Sequence, residues 1–384
     1  MEQDANNHDP SALMGMSPMT RRQVAAVAVT VALCALDGYD VLAVTFAAPG
    51  LAAEWGIGKA ALGGVFASGL AGMALGSLLL APLADLAGRR PSIFLSLVLI
   101  IAGMFASADA GSATALAGWR FVTGLGIGAM IAVINPLAAE YANSRRRDLA
   151  VSLMAVGYPI GGVAGGAVAA ALLARYDWRS VFHLGAGLGL IFVPIVWRWL
   201  PESPVFLLRR RSSSLARVNA ALISLGKAPL ARLPRIDEGT KAAGIVGVFA
   251  PAMRGRAARM IAIYFLHVLT VYFLLSWMPQ MVADRGFTAS EAAGVSVYAN
   301  LAGIAGGIAL GAAADRVPLK RLVLTALLGT AFMCAIFGAV AADLAVLRLG
   351  GAMAGFSSSR AWSASMPLLR APFRRAFAQA VQAW

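Results

Sequence analysis

Nine stretches of this chain are apolar over the length a helix needs to cross a lipid bilayer, about 20 residues. They lie near 24–48, 61–83, 92–108, 114–139, 149–173, 181–200, 260–282, 292–314 and 322–342. A tenth begins near Leu344 and is interrupted by Arg348, then by Ser357-Ser358-Ser359-Arg360. Composition agrees with the spans. The chain is 59% hydrophobic and 13% charged, where soluble domains carry about 25% charged residues. So little polar surface cannot cover two or three water-soluble domains in 384 residues. A disordered chain, a secreted disulfide scaffold and an ordinary cytosolic enzyme are excluded. The expected fold class is an all-α polytopic membrane protein.

The net charge of +14 does not point to nucleic acid, because Lys and Arg sit in short clusters between apolar runs rather than on one face of a domain. With the N-terminus inside, 21 basic residues fall in inside segments and four in outside loops. Positive residues accumulate on the cytoplasmic side, so the N-terminus is expected in the cytoplasm and the protein in a bacterial inner membrane. The polar stretch ahead of Arg21 shows no cleavable signal. Cys34 and Cys334 each lie inside an apolar run and offer neither a disulfide framework nor metal-ligand spacing.

The expected organisation is an N-terminal tail (1–22), a six-helix half (23–200), a hydrophilic linker (201–259), a partial second half (260–356) and an aberrant tail (357–384). The linker holds Arg209-Arg210-Arg211 and Pro229, Pro234 and Pro251. It reads as solvated, with room for a short amphipathic helix on the membrane and for anionic lipid. A repeat supports the two halves: Gly76–Asp85 aligns without gaps on Gly306–Asp315. Each copy closes a span and opens a basic turn. Parallel six-helix repeats are a transporter architecture.

Several motifs together resemble the major facilitator superfamily. Ala81-Pro82-Leu83-Ala84-Asp85-Leu86-Ala87-Gly88-Arg89-Arg90 is similar to that family's loop between helices 2 and 3, with Ala81 and Leu86 in place of the usual Gly and Arg. The second copy keeps both, as Gly311 and Arg316. Arg120 with Gly124, Gly126 and Gly128 resembles a further motif, as does Pro201-Glu202-Ser203-Pro204. Asp37-Gly38-Tyr39-Asp40 and Ser276-Trp277-Met278-Pro279 resemble the aromatic acid:proton symporters, permeases for 4-hydroxybenzoate, protocatechuate and benzoate. The resemblance implies a major facilitator fold with two six-helix halves, the second incomplete, and about nine to ten spans present.

Asp37 and Asp40 carry the chemistry. A carboxylate in mid-span costs about 2.5–3.5 kcal/mol on insertion scales and usually marks function. Three residues apart, the two share a helix face, and neighbouring carboxylates in a low dielectric resist ionising together. Such a pair can take a proton on one side of a membrane and release it on the other; the plainer reading is hydrogen bonding to neighbouring helices. Arg120 is a candidate for holding a substrate carboxylate bidentately, for pairing with Asp37 or Asp40, or for snorkelling. Asp85, Gly88, Arg89 and Arg90, with Asp315 and Arg316, form the candidate gating loops that the resemblance implies, and Glu140 is a candidate member of that network. Ion pairs made in only one state bias a two-state equilibrium. Tyr39, Tyr272 and Trp277 are candidates for stacking an aromatic ring. Small residues at fours, such as Gly72/Gly76, Gly124/Gly128 and Gly161/Gly165, let helices approach closely.

The expected function is proton-coupled import of a small aromatic carboxylate by alternating access, by a monomer that uses the proton gradient and no cofactor, metal or nucleic acid. The alternatives are a facilitator for a sugar, polyol or dicarboxylate, and a non-transporting remnant or sensor. An enzyme is disfavoured for want of a catalytic set. The tail after Phe356 matches no span, and a reading-frame shift there is expected to remove the last two helices.

Overall fold

The computed structural model describes residues 17–210, 214–233, 254–313, 319–339 and 343–357. The chain divides into two units, 1–236 and 237–384.

The first unit is built on six helices long and apolar enough to span a membrane: α1 Arg21–Trp55, α2 Lys59–Leu86, α3 Arg89–Ala108, α4 Ala113–Tyr141, α5 Arg147–Leu173 and α6 Arg179–Trp199. Each coincides with one of the six expected runs, the sixth ending one residue short, at Trp199. α1 starts at a capping box in which Thr20 Oγ1 accepts from Gln23 N–H (3.1 Å) and Gln23 Oε1 accepts from Thr20 N–H (3.0 Å). It continues through Pro49 to Trp55, past the Pro-Gly that ends the apolar run. α2 contains one π-helical turn, Gly76–Leu80, just before Pro82. Proline has no N–H to give and its ring crowds the preceding turn, and a widened turn accommodates it.

α1 lies at the centre of this unit, packed against α4, α5 and α6. Its buried side chains include Leu33, Leu36, Tyr39, Ala43, Phe46 and Ala47. Glycine sets the crossings. A Cβ at Gly38 would strike the Tyr158 carbonyl oxygen, and one at Gly161 the Ala35 carbonyl oxygen. The α2–α4 crossing has the same design: Gly76 lies against the Leu125 carbonyl, and Gly124 against that of Gly69.

Two shorter helices follow, α7 Pro204–Arg209 and α8 Leu215–Ser224. α8 buries Val218, Ala221 and Leu222. It is tied to the start of α1: Thr20 Oγ1 donates to the Leu225 carbonyl, and Arg22 donates to that of Ile223 (3.2 Å). The described part of the expected linker up to 233 thus belongs with the first unit; 234–253 lie outside the described residues.

The second unit contains α9 Arg254–Ala283, α10 Ala289–Ala313, α11 Leu319–Ala339 and α12 Leu344–Ser357. Leu274, Met278, Val282, Val295, Ala299, Leu347 and Ala354 share its core. The helix of the expected tenth run continues through Arg348, but at Leu344–Ser357 it is shorter than a membrane span needs. Asp343 caps α12, its Oδ1 accepting from Ala345 N–H (2.9 Å) and Val346 N–H (3.0 Å). The helix then runs through Arg348, whose guanidinium lies 5.6 Å from the Tyr298 ring centre. The crossing of α10 and α12 repeats that of α2 and α4. Gly306 lies against the Phe356 carbonyl and Gly355 against that of Ala299. Gly306 and Ala299 stand where the sequence repeat puts the counterparts of Gly76 and Gly69, and Gly355 and Phe356 stand one position beyond those of Gly124 and Leu125. The tail from 358 lies outside the described residues.

Candidate functional site

Four of the residues singled out in the sequence meet inside the first unit. Asp37 and Asp40 are fully buried, and Arg120, from α4, is 3% exposed. Arg120 Nη2 donates to the main-chain carbonyl of Asp40 (2.9 Å), and Nη1 contacts Met104 Sδ on α3 (3.4 Å). The guanidinium lies 6.0 Å from the Phe182 ring centre on α6. Arg120 therefore grips the helix that carries the aspartates rather than either carboxylate. Neither oxygen of Asp37, neither carboxyl oxygen of Asp40, and not Arg120 Nε has a hydrogen-bond partner among the described residues. Leaving such groups buried and unpaired is expensive. Protonation of a carboxyl, or an anion beside the arginine, would each relieve part of that cost.

Tyr39, the fourth, is built into the packing. Its hydroxyl donates to the Val181 carbonyl (2.6 Å), and its ring fills the space that a Cβ at Gly165 would take. Its ring is thus held between α5 and α6. Tyr272 and Trp277 lie on α9 in the second unit, where Trp277 is 6.3 Å from the Phe273 ring.

The loop between α2 and α3 forms a second cluster. Arg89 pairs with Asp85 (2.8 Å) and reaches Glu140 on α4 (3.4 Å). Arg90 donates to the Trp197 carbonyl (2.7 Å) and covers the Trp197 ring at 5.1 Å. Gly88 has φ +118°, a conformation that side chains rarely adopt, and a Cβ there would run into Glu202 Oε2. Asp315 and Arg316, the counterpart in the second copy, lie outside the described residues.

Glu202 is the residue the sequence reading did not place. Its Oε1 accepts from the main-chain N–H of Arg89 (2.9 Å) and of Ser203 (2.9 Å), and its Oε2 from that of Arg90 (3.3 Å). It caps α3 from a distant part of the chain, and helix N-termini favour negative charge. Burial pushes its carboxyl above the usual carboxylate range, against the pull of these donors. The Pro-Glu-Ser motif was the only signal for it. At the other end of the bundle, Arg179 forks onto Glu54 (2.7 and 2.9 Å), which also accepts from Trp178 Nε1 (2.7 Å). No sequence pattern joined those residues. Among the described residues, no group of three or more His, Cys, Asp or Glu is placed to hold a metal ion.

Known proteins share this sequence and fold. The model of the Major Facilitator Superfamily matches residues 28–383. The 4-hydroxybenzoate transporter PcaK of Pseudomonas putida is 32% identical over 372 residues, covering 95% of this chain and 82% of that protein. The gallate transporter of the same organism is 31% identical over 331 residues, covering 85% and 74%. Among solved structures, the partially occluded inward open conformation of the xylose transporter XylE from E. coli matches with a TM-score of 0.72 at 18% identity, covering 90% of this chain and 86% of that one. At that identity the likeness is one of fold.

Proposed function

The chain belongs to the major facilitator superfamily, and we propose that it is a proton-coupled symporter of the bacterial inner membrane, importing a small aromatic carboxylate of the hydroxybenzoate kind. One observation carries the reading: two fully buried aspartates, one turn apart and beside a buried arginine, have no donor to any of their four carboxyl oxygens among the described residues. Relatives at 31–32% identity transport 4-hydroxybenzoate and gallate.

Asp37 and Asp40 carry the proton. A protonated carboxyl crosses between the two access states more cheaply than a carboxylate, because burying the charged form costs most. Arg120 offers its Nε–H to the substrate carboxylate while its Nη2 keeps hold of α1. Guanidinium is charged at every physiological pH, so its attraction for the anion survives changes in the proton gradient. Tyr272 and Trp277 are the proposed ring-stacking groups. The Asp85, Gly88, Arg89, Arg90 and Glu140 cluster, with Asp315 and Arg316, biases the access equilibrium. The N-terminus is cytoplasmic, as the basic loops require, and the working unit is a monomer.

The test is uptake of radiolabelled 4-hydroxybenzoate into proteoliposomes holding the full chain, under an imposed inward proton gradient. Accumulation that a protonophore abolishes, that unlabelled benzoates inhibit and that Asp37→Asn removes is the expected result. Inhibition by sugars instead of benzoates overturns the substrate class. Unchanged accumulation in Asp37→Asn removes that residue from the mechanism.

A further inference from the structure

We propose that Gly185, on α6, is a positioning residue of the proton site: its missing side chain is what gives the Asp40 carboxyl its place. The inference rests on the reading of Asp40 as a proton carrier. A Cβ built at Gly185 would run into Met104 Cε, stand 2.9 Å from Asp40 Oδ1 and 3.3 Å from Tyr39 Cε1. Helices α1, α3 and α6 therefore converge on this one position. The demand is local, since a Cβ at Gly187 meets nothing within 4 Å and one at Gly189 meets only Ile101.

Asp40 has little means of retreat. Its main-chain carbonyl is held by Arg120 (2.9 Å). Tyr39, its neighbour, is anchored by its hydroxyl to Val181 (2.6 Å), one turn before Gly185 on the same helix. The Tyr39 ring is closed off on another side by Gly165. A methyl group at 185 must then be accommodated by Met104, whose end is flexible, and by the Asp40 carboxyl itself. Met104 adapts cheaply, having three rotatable bonds. The carboxyl adapts by rotating away from the position in which it exchanges its proton. Gly185 touches no substrate in this account; it acts through Asp40.

The experiment separates coupling from folding. Gly185→Ala is made both alone and with Met104→Leu, which removes the Cε that the new methyl would strike while nearly conserving volume; such swaps usually cost less than about 1.5 kcal/mol. Each variant is purified, checked for monodispersity, and reconstituted. Two assays use labelled 4-hydroxybenzoate: proton-driven accumulation, and counterflow exchange at equal pH, which needs binding and access change but no net proton movement. The expected result is a fall in accumulation of about ten-fold or more, the scale set by sub-ångström to ångström misplacement of a reacting group, with counterflow kept. The same split is expected in Met104→Leu/Gly185→Ala relative to Met104→Leu. Accumulation equal to the parent in either background overturns the proposal. So does a proportionate loss of both activities in well-folded protein, which means a packing defect. A wild-type chain that accumulates no benzoate sinks the reading of the site as a whole, whereas an accumulating wild type with an accumulating Gly185→Ala sinks this inference alone.

Discussion

Arg120 donates a 2.9 Å hydrogen bond to the main-chain carbonyl of Asp40, not to its carboxylate. A backbone acceptor on α1 does not titrate, so this grip persists whatever the protonation of the aspartates. Lysine keeps the charge and loses the planar fork. Arg120→Lys is expected to reach membranes in normal amounts and to lose about ten-fold or more in uptake, as removal of a hydrogen bond to a charged group, about 1.5–3 kcal/mol, requires. Immunoblot quantity and initial uptake rate, measured together, check this.

Glu202 predicts a pH dependence of stability. Its carboxyl is raised above its unfolded value by burial. Its stabilising contribution is therefore complete below the unfolded value, about 4.3, and is lost as pH rises through the raised folded value. Thermal unfolding of the detergent-solubilised protein should lose stability across that window. Glu202→Gln, which keeps an acceptor for the capping N–H groups, should flatten the profile. A steeper profile in the variant counts against this account.

Gly88→Ala should destabilise the first unit. The position has φ +118°, and the new methyl meets Glu202 Oε2. The strain alone is of the order of 1–3 kcal/mol. The melting temperature should fall, and the same exchange at Gly118, a helical position where a Cβ meets nothing within 4 Å, should not lower it.

Glycines within the spans should divide sharply. At Gly161 the added methyl would strike the Ala35 carbonyl, main chain that cannot turn aside. Gly161→Ala is expected to yield little folded protein by fluorescence-detected size exclusion. Gly187→Ala, with open space around it, should fold as well as the parent or better, since Ala exceeds Gly by about 0.5–1 kcal/mol in a helix.

Much of this architecture is legible in the sequence because its cause is local. A long apolar run must become a helix in lipid, and each expected run of the first half matches a helix, the sixth to within one residue. The Asp37–Asp40 pair stood out because charge in mid-span is costly, and Arg120 stood out through its motif with Gly124, Gly126 and Gly128. Glu140 was a candidate member of the Asp85–Arg90 cluster, and Arg89 reaches it at 3.4 Å, a pairing that the sequence did not specify. Asp343 and Arg348 show the limit. Arg348 reads as an interruption of the tenth run, yet the helix that Asp343 caps continues through it and its guanidinium lies over Tyr298. Glu202 on α3, Thr20 on Leu225 and Glu54 on Arg179 join residues more than a hundred positions apart. Their bonds depend on how helices cross, which no periodicity records. Gly185 was hidden for the same reason: among many glycines, only the crossing tells which one faces Asp40.

The matching helix crossings, Gly76 on Leu125 with Gly124 on Gly69, and Gly306 on Phe356 with Gly355 on Ala299, are contacts between backbones. They are blind to whichever side chain stands a turn away. In the first copy, one turn before Gly124, that neighbour is Arg120. In the second, one turn before Gly355, it is Gly351, where an added Cβ would face Val295 Cγ1 at 3.0 Å. The frame has been written twice and the charge once. A scaffold of this kind repeats its packing without repeating its charge, so a substitution beside one crossing changes the electrostatics of that copy alone and leaves the backbone contacts of the other as they are.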